Sequence, residues 1–211
     1  STKDFEHWPH PELVLVPDEI DDSMHPGNWG IQFYGLSSFA YEAGYIGFLW
    51  IFRTGSGGQI YAQLVSSRDG INWTRLEPTN GMRPAILPNG PGGSWDAGCL
   101  FKASHLLVEG DTIKLWYSAW DKDHRAPDPD ITACVGLATL RKDGFASLDA
   151  GEETGIVTTK LLKGLGDRLY INAETKGGEI KAEVLDADGN VLRGYSRDDC
   201  KAVSGNGIEQ L

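Results

Sequence analysis

Cysteine is scarce: the 211 residues hold three, Cys99, Cys134 and Cys200, an odd number with no CxxC spacing. That pattern argues against a disulfide framework and a structural zinc site, and it leaves thiols expected to behave as small hydrophobes. Basic residues are also few, 19 Lys and Arg against 30 Asp and Glu, for a formal net charge of −11. The overall field is repulsive toward phosphate backbones and anionic lipid, so neither nucleic acid nor a membrane surface is an expected partner. Long apolar runs are missing as well. Nothing approaches the roughly 18 residues of a helical membrane span, and the greasiest stretch, Tyr45 to Phe52, is short and interrupted by Gly47. The opening STKDFEHW has no apolar core of the kind a signal peptide carries, so none is expected. No convincing amphipathic helix is visible.

Glycine and aromatic residues are plentiful instead, with 27 Gly, 7 Trp, 7 Tyr and 7 Phe. Many glycines beside many aromatics predict short strands joined by tight turns. A repeat supports this. Ser1-Thr2-Lys3-Asp4-Phe5-Glu6-His7-Trp8 aligns without gaps on Ser66-Ser67-Arg68-Asp69-Gly70-Ile71-Asn72-Trp73, and a weaker third copy is Arg141-Lys142-Asp143-Gly144-Phe145. Its physical role is a hairpin turn: Asp bonds nearby backbone N–H groups, Gly supplies positive φ, and Trp returns on the next strand to pack between sheets.

The spacing of the copies suits one four-stranded propeller blade. Ile31 to Ala40, Tyr45 to Arg53, Ile60 to Ser66 and Trp73 to Leu76 read as four strands. Gly98 to His105, Ile113 to Ala119, Thr132 to Leu140 and Phe145 to Leu148 repeat the layout, with Met82 to Gly93 as a Pro/Gly-rich connector. After Asp149 the strands read as shorter and more polar: Lys160 to Leu162, Leu169 to Ala173, Ile180 to Leu185 and Val191 to Tyr195, with a hairpin at Asp186-Ala187-Asp188-Gly189-Asn190. The expectation is therefore an all-β chain. Residues 1–150 form a partial β-propeller, with an edge strand over 1–17 and blades over 28–77 and 94–149. Residues 151–211 form part of an incomplete β-sandwich. The first residue falls inside a turn motif, so the chain is expected to be a fragment of a longer protein or one completed by partner copies. A homo-oligomer covering the open blade faces is expected, since open sheet faces with Trp and Tyr make large apolar patches.

The segments Ser67 to Arg75, Trp95-Asp96-Ala97-Gly98 and Gly136 to Gly151 resemble the later blades of bacterial five-bladed β-propeller proteins. These are similar to glycoside hydrolases of families 43 and 32, which carry a β-sandwich after the propeller. The resemblance implies a carbohydrate partner, no cofactor, and three channel-facing carboxylates on the first three blades. The blades present here would be the fourth and fifth, so the main catalytic set would lie upstream of Ser1, and no catalytic residue is assigned within this chain. Paired carboxylates are needed because one protonates the leaving oxygen while the other attacks the anomeric carbon or activates water.

Early residues of innermost strands point into a propeller channel, which makes Gln32, Tyr34, Trp95 and Asp96 the expected substrate-binding residues. Asp96 would bond a sugar hydroxyl while Trp95 stacks on a pyranose face, or else Asp96 caps a turn. His124, in the loop Asp121-Lys122-Asp123-His124-Arg125, is the fifth candidate, against the alternative of a solvated loop histidine. No metal site is expected. Asp121, Asp123, Asp128 and Asp130 lack the glycine and glutamate spacing of a calcium loop, and His7-Trp8-Pro9-His10 has too few companions. Gly164-Leu165-Gly166 lacks the context of a dinucleotide site. Two functions follow: part of a glycosidase-like hydrolase, or a non-catalytic glycan-binding or scaffold module.

Overall fold

The computed structural model describes residues 2–210 apart from 24–29, 56, 103, 104, 164, 165 and 167. Residues 28–29, expected to open the first blade, and Gly164-Leu165 lie outside the described residues. The chain is all-β, as expected, and divides into two compact units, Ser1–Phe145 and Ala146–Leu211.

In the first unit β1 (Ile31–Tyr41), β2 (Gly44–Arg53), β3 (Ile60–Ser67) and β4 (Trp73–Arg75) form an antiparallel meander. The Tyr41–Gly44 turn closes β1 on β2, with Glu42 in the left-handed region at φ 48. The connector expected to be irregular contributes β5 (Ala85–Leu87), whose partners are Ala62 and Gln63 of β3. The outer edge of β3 is thus shared in sequence by β4, β5 and one residue of β6 (Cys99–Lys102), through the parallel pair Ile60 and Cys99.

The second blade-like sheet has β6 and β7 (Leu107–Glu109) on one edge of β8 (Thr112–Trp120) and β9 (Ala133–Arg141) on the other. The two sheets are not interleaved, but one residue pair joins them. At that junction Asn89 Nδ2 donates to both Ile60 O and Gly98 O at 2.9 Å. Gly98 lies so close to the Lys122 backbone that a Cβ would overlap it. Core clusters span both sheets: Ile31, Leu49, Ile51 and Val65 gather with Leu100 and Ala119, and Phe48, Ala62 and Leu64 with Leu115.

Three expectations need correction. No strand forms over the described residues 2–17; in their place lie a turn, an extended segment and, just beyond, the short helix α1 (Glu19–Ser23). The fourth strand of the second blade, expected over Phe145 to Leu148, is absent. Its cause is local. Asp143 itself takes φ 60 and Gly144 N donates to Arg141 O, so the chain leaves β9 by a turn unlike that at Asp69. Phe145 then packs edge-on against Tyr41 instead of returning along β9. In the second unit β10 (Tyr170–Glu174) pairs with β11 (Asn206–Gln210), a strand not foreseen. The segments around Ile180 and Val191 make only single bridges, Ile180 to Val203 and Leu185 to Val191, and Lys160 to Leu162 makes no strand. The Asp186 hairpin does form, its carboxylate accepting from the N–H of Asp188 and of Asn190 at 2.9 Å.

All three thiols are free. Burial pushes Cys99 up to about 11, while Cys134 is exposed. A disulfide-exchange reagent at pH 8 is therefore expected to titrate Cys134 in the folded protein and Cys99 only after unfolding, since the thiolate is the reacting species. Rapid native-state labelling of Cys99, located by mass spectrometry, would contradict its placement.

Candidate functional site

Tyr34 is displaced from the regular ladder by a bulge in β1. The register shifts between Phe33, opposite Ile51, and Gly35, opposite Trp50. The residue between them is the one a bulge leaves unpaired and re-aims. Gly35 permits this because the Trp50 ring lies over it, where a Cβ would sit 2.9 Å from Trp50 Cε3. Tyr34 stands over Phe52, with ring centroids 4.9 Å apart, and meets the ring of His124 edge-on, also at 4.9 Å. Around His124 the array continues through Phe52 at 5.2 Å, Trp120 at 6.3 Å and Phe101 at 6.5 Å.

The loop carrying His124 is anchored at both ends. His124 N donates to Gly58 O at 2.9 Å, Asp123 Oδ1 accepts from Arg125 N at 2.7 Å, and Asp121 Oδ1 accepts from Thr132 N at 2.9 Å. That last bond holds the Asp121 carboxyl below its ordinary range. Tyr34 is 44% exposed and His124 half-buried, so these two rings reach the surface over a buried Phe52. Gln32 is exposed on β1 opposite Phe52, adding amide donors and an acceptor beside the rings. Trp50 Nε1 is buried behind Phe101 with no acceptor among the described residues.

Trp95 and Asp96 belong to a different arrangement. Asp96 Oδ1 accepts from Ser94 Oγ at 2.7 Å and Oδ2 from Tyr117 OH at 3.1 Å. Trp95 stacks on Tyr117 at 5.6 Å, and Gly136 allows both rings to lie on its backbone. Burial, aided by the bond to Asp96, raises the Tyr117 hydroxyl pKa. Both Asp96 oxygens are thus engaged, one by Ser94 two residues before it and one by Tyr117 of β8, beside a turn in which Ala97 N donates to Ser94 O at 3.2 Å. Of the five residues singled out from sequence, the structure gathers Gln32, Tyr34 and His124 on one face and leaves Trp95 and Asp96 elsewhere. Phe52, Phe101 and Trp120 were missed. Phe52, itself buried, ends the continuous run Phe48-Leu49-Trp50-Ile51-Phe52, where no alternation announces which residue meets Tyr34.

The repeated turn motif is structural at both complete copies. Asp69 Oδ1 accepts from Ile71 N at 2.8 Å and Asn72 N at 2.7 Å, and Trp73 Nε1 donates to Gly70 O at 3.1 Å. Asp4 Oδ1 accepts from Glu6 N at 3.0 Å and His7 N at 2.9 Å, and Trp8 Nε1 donates to Phe5 O at 3.1 Å. These N–H donors hold both carboxyls far below the usual range. The Asp69 turn borders an open groove of about 580 Å³ that also includes Tyr41, Tyr45 and Ser67.

A second polar cluster was not foreseen. Asp21 of α1 is fully buried and receives Arg75 through two bonds, Nη1 to Oδ2 at 2.5 Å and Nη2 to Oδ1 at 2.8 Å. Arg75 Nη2 also donates to the buried Gln63 Oε1 at 2.6 Å, and its guanidinium lies 4.9 Å from the Phe33 ring centroid. Arg83 binds Asp18 at 2.9 and 2.6 Å, and that pairing pulls the Asp18 carboxyl below its ordinary value. This cluster latches α1 onto the first sheet and has no free acid for chemistry.

Among the described residues no group of three or more His, Cys, Asp or Glu is placed to hold a metal ion, and no helix is long and apolar enough to cross a membrane. No protein-family profile and no curated protein matches the chain. Two solved structures are similar to it. One, a complex of BT0996 with RGII, has 14% identity and a TM-score of 0.42, over 61% of this chain and 35% of that one. The other is an N-acetylgalactosamine deacetylase from F. plautii in complex with blood group B trisaccharide, with 19% identity and a TM-score of 0.38, over 54% of this chain and 34% of that one. The chain spans about a third of the length of each, and likeness at this level carries no functional argument.

Proposed function

We propose that this chain is a carbohydrate-binding part of a larger carbohydrate-active protein of the β-propeller type. Its sugar platform is the face formed by Tyr34 and His124 over the buried Phe52, with Gln32 at its edge. The observation that carries this reading is the bulged, exposed Tyr34 ring standing over Phe52 of β2 and beside His124 of an anchored loop. Aromatic rings supply apolar contact for a pyranose face, and the Gln32 amide and His124 nitrogens supply bonds to hydroxyls. Titration of the chain with a panel of oligosaccharides, followed by indole fluorescence and calorimetry, is expected to give saturable binding. Tyr34→Ala should weaken it about tenfold, equivalent to about 1.4 kcal/mol, whereas Asp96→Asn should leave affinity unchanged. Equal affinity in the Tyr34→Ala protein would move the platform elsewhere.

The finer reading, that the parent is a glycosidase-like hydrolase, rests on the resemblance of the Ser67–Arg75, Trp95–Gly98 and Gly136–Gly151 segments. Such hydrolysis needs two carboxyl groups spaced across a scissile bond. Beside the platform, the Asp123 carboxylate is occupied in holding its own loop. Binding without turnover of aryl glycosides is therefore expected of this chain by itself, and turnover abolished by Asp96→Asn would reverse that assignment.

A further inference from the structure

We infer that the groove at the Asp69 turn is a second binding site, one that takes a carboxylate-bearing sugar, with Arg68 holding the carboxylate and Tyr45 the ring. The groove, of about 580 Å³, lies between the Tyr41–Gly44 turn and the end of β3. It is at the opposite end of the first hairpin from the Tyr34 platform. Tyr45 stands opposite Ala40 and Phe52 opposite Gln32, and the run of β1 from Tyr34 to Tyr41 spans roughly 20 Å. The two turns hold each other's side chains. A Cβ on Gly44 would stand 3.7 Å from Arg68 Cδ, and one on Gly70 would stand 3.6 Å from Tyr45 Cε2, so the glycine of each turn backs the side chain presented by the other. The Arg68 stem and the Tyr45 ring are thereby positioned before any ligand arrives, which lowers the ordering cost of binding.

Arg68 is exposed, and its guanidinium has no ion-pair or hydrogen-bond partner among the described residues. The acid next to it is not available. Asp69 Oδ1 accepts from Ile71 N, Asn72 N and Ser67 Oγ, and Oδ2 accepts from Asn72 Nδ2 at 2.7 Å. Arg75 and Arg83, by contrast, are already bound to Asp21 and Asp18. An unneutralised guanidinium in a groove is a planar fork for a carboxylate or a phosphate. The other lining groups choose between ligands. Ser66 and Thr74, paired across β3 and β4 and both exposed, offer hydroxyls that donate and accept. Tyr45, also exposed, offers a ring face and a phenol. Together these suit a polyol ring. Glu42, exposed in the Tyr41–Gly44 turn, adds a negative charge to the lining that disfavours a dianion such as a phosphate monoester more than a monoanion. A sugar acid meets all of these demands at once.

A chemical-shift titration of the whole nitrogen-labelled chain tests this, with glucuronate, glucose, a glucose phosphate monoester and acetate as probes. Glucuronate is expected to shift the amides of Gly44, Arg68 and Gly70 saturably, with a dissociation constant on the order of millimolar. It should bind about tenfold more tightly than each of the other probes. Arg68→Gln should weaken glucuronate about tenfold, and Glu42→Gln should strengthen it about twofold, each with the spectrum outside the groove unchanged. No shift of these amides up to about 50 mM glucuronate would overturn the inference. Equal affinity for glucose would do the same by making Arg68 idle, equal affinity for acetate by leaving a plain anion site, and tighter binding of the phosphate monoester by reversing the choice of anion. Tyr34→Ala should leave the glucuronate response of the groove intact, so failure here and failure of the Tyr34 platform are read separately.

Discussion

Asp21→Ala is expected to destabilise the protein by about 3 to 5 kcal/mol, because it strands the Arg75 guanidinium in a buried site without its carboxylate. Arg75 is only 5% exposed in its side chain and Asp21 1%. What remains for Arg75 is the Gln63 amide at 2.6 Å and a longer approach to Asp18 at 3.9 Å, neither a replacement for a bidentate carboxylate. Arg75→Ala should cost less, since Asp21 keeps the Asp18 N–H at 3.0 Å and Arg83 at 3.6 Å. Replacing both members by apolar residues of similar volume should recover much of the loss, as desolvation offsets most of the attraction in a buried pair. Urea denaturation of the two single variants and the double variant measures this directly; a loss below about 1 kcal/mol for Asp21→Ala would show that α1 is not latched as described.

The same latch has a pH signature. The Asp18 carboxyl is held below its ordinary value, first by the hydrogen bonds from Arg83. A depressed folded value means that its contribution is fully present above the unfolded carboxylate range, about 3.9, and is lost as pH falls through the folded value. Loosening of α1 thus belongs to the acid limb, below about pH 4.

Trp73→Ala should cost about 3 kcal/mol, near the lower end for a truncated core aromatic because the indole is half-buried. Its ring lies against Gly47, where a Cβ would stand 3.1 Å from it, and packs on the cluster containing Leu49 and Val65. Trp8→Ala should change monomer stability by no more than about 0.5 kcal/mol. Trp8 makes the same turn bond, but its ring meets Phe5 edge-on at 6.1 Å and the residue is 64% exposed. Sequence equivalence implied equal burial of the two indoles; the structure corrects it for Trp8. Denaturant midpoints for both variants test the contrast, and equal losses would mean that Trp8 is covered after all.

The gap between those two tryptophans separates what was readable from what was not. Bonds made within three residues, such as Asp4 to His7 and Asp69 to Asn72, depend on local spacing alone, so the turn motif announced both complete copies correctly. The third copy failed because Asp143, not its neighbour, took the left-handed conformation and donated no return strand to β9. Burial of a ring depends on what arrives from elsewhere in the chain, and no motif carries that. The proposed sugar-binding face shows the same division. Gln32, Tyr34 and His124 were visible as polar and aromatic residues near strand ends and loops, while Phe52, Phe101 and Trp120 looked like ordinary core.

By itself, the sequence determined the all-β class, the four strands of the first blade, the Asp69, Asp4 and Asp186 turns, and the change of character after the first unit. These follow from backbone propensities and short-range hydrogen bonds, which act before any tertiary contact forms. Only the tertiary structure decided that Asp96 Oδ2 is spent on Tyr117, that a bulge brings Tyr34 over His124, and that α1 closes on Arg75 across 54 residues of chain. Each of those outcomes pairs groups far apart in sequence, where spacing carries no information and the choice of partner is made by which polar groups would otherwise be buried without one.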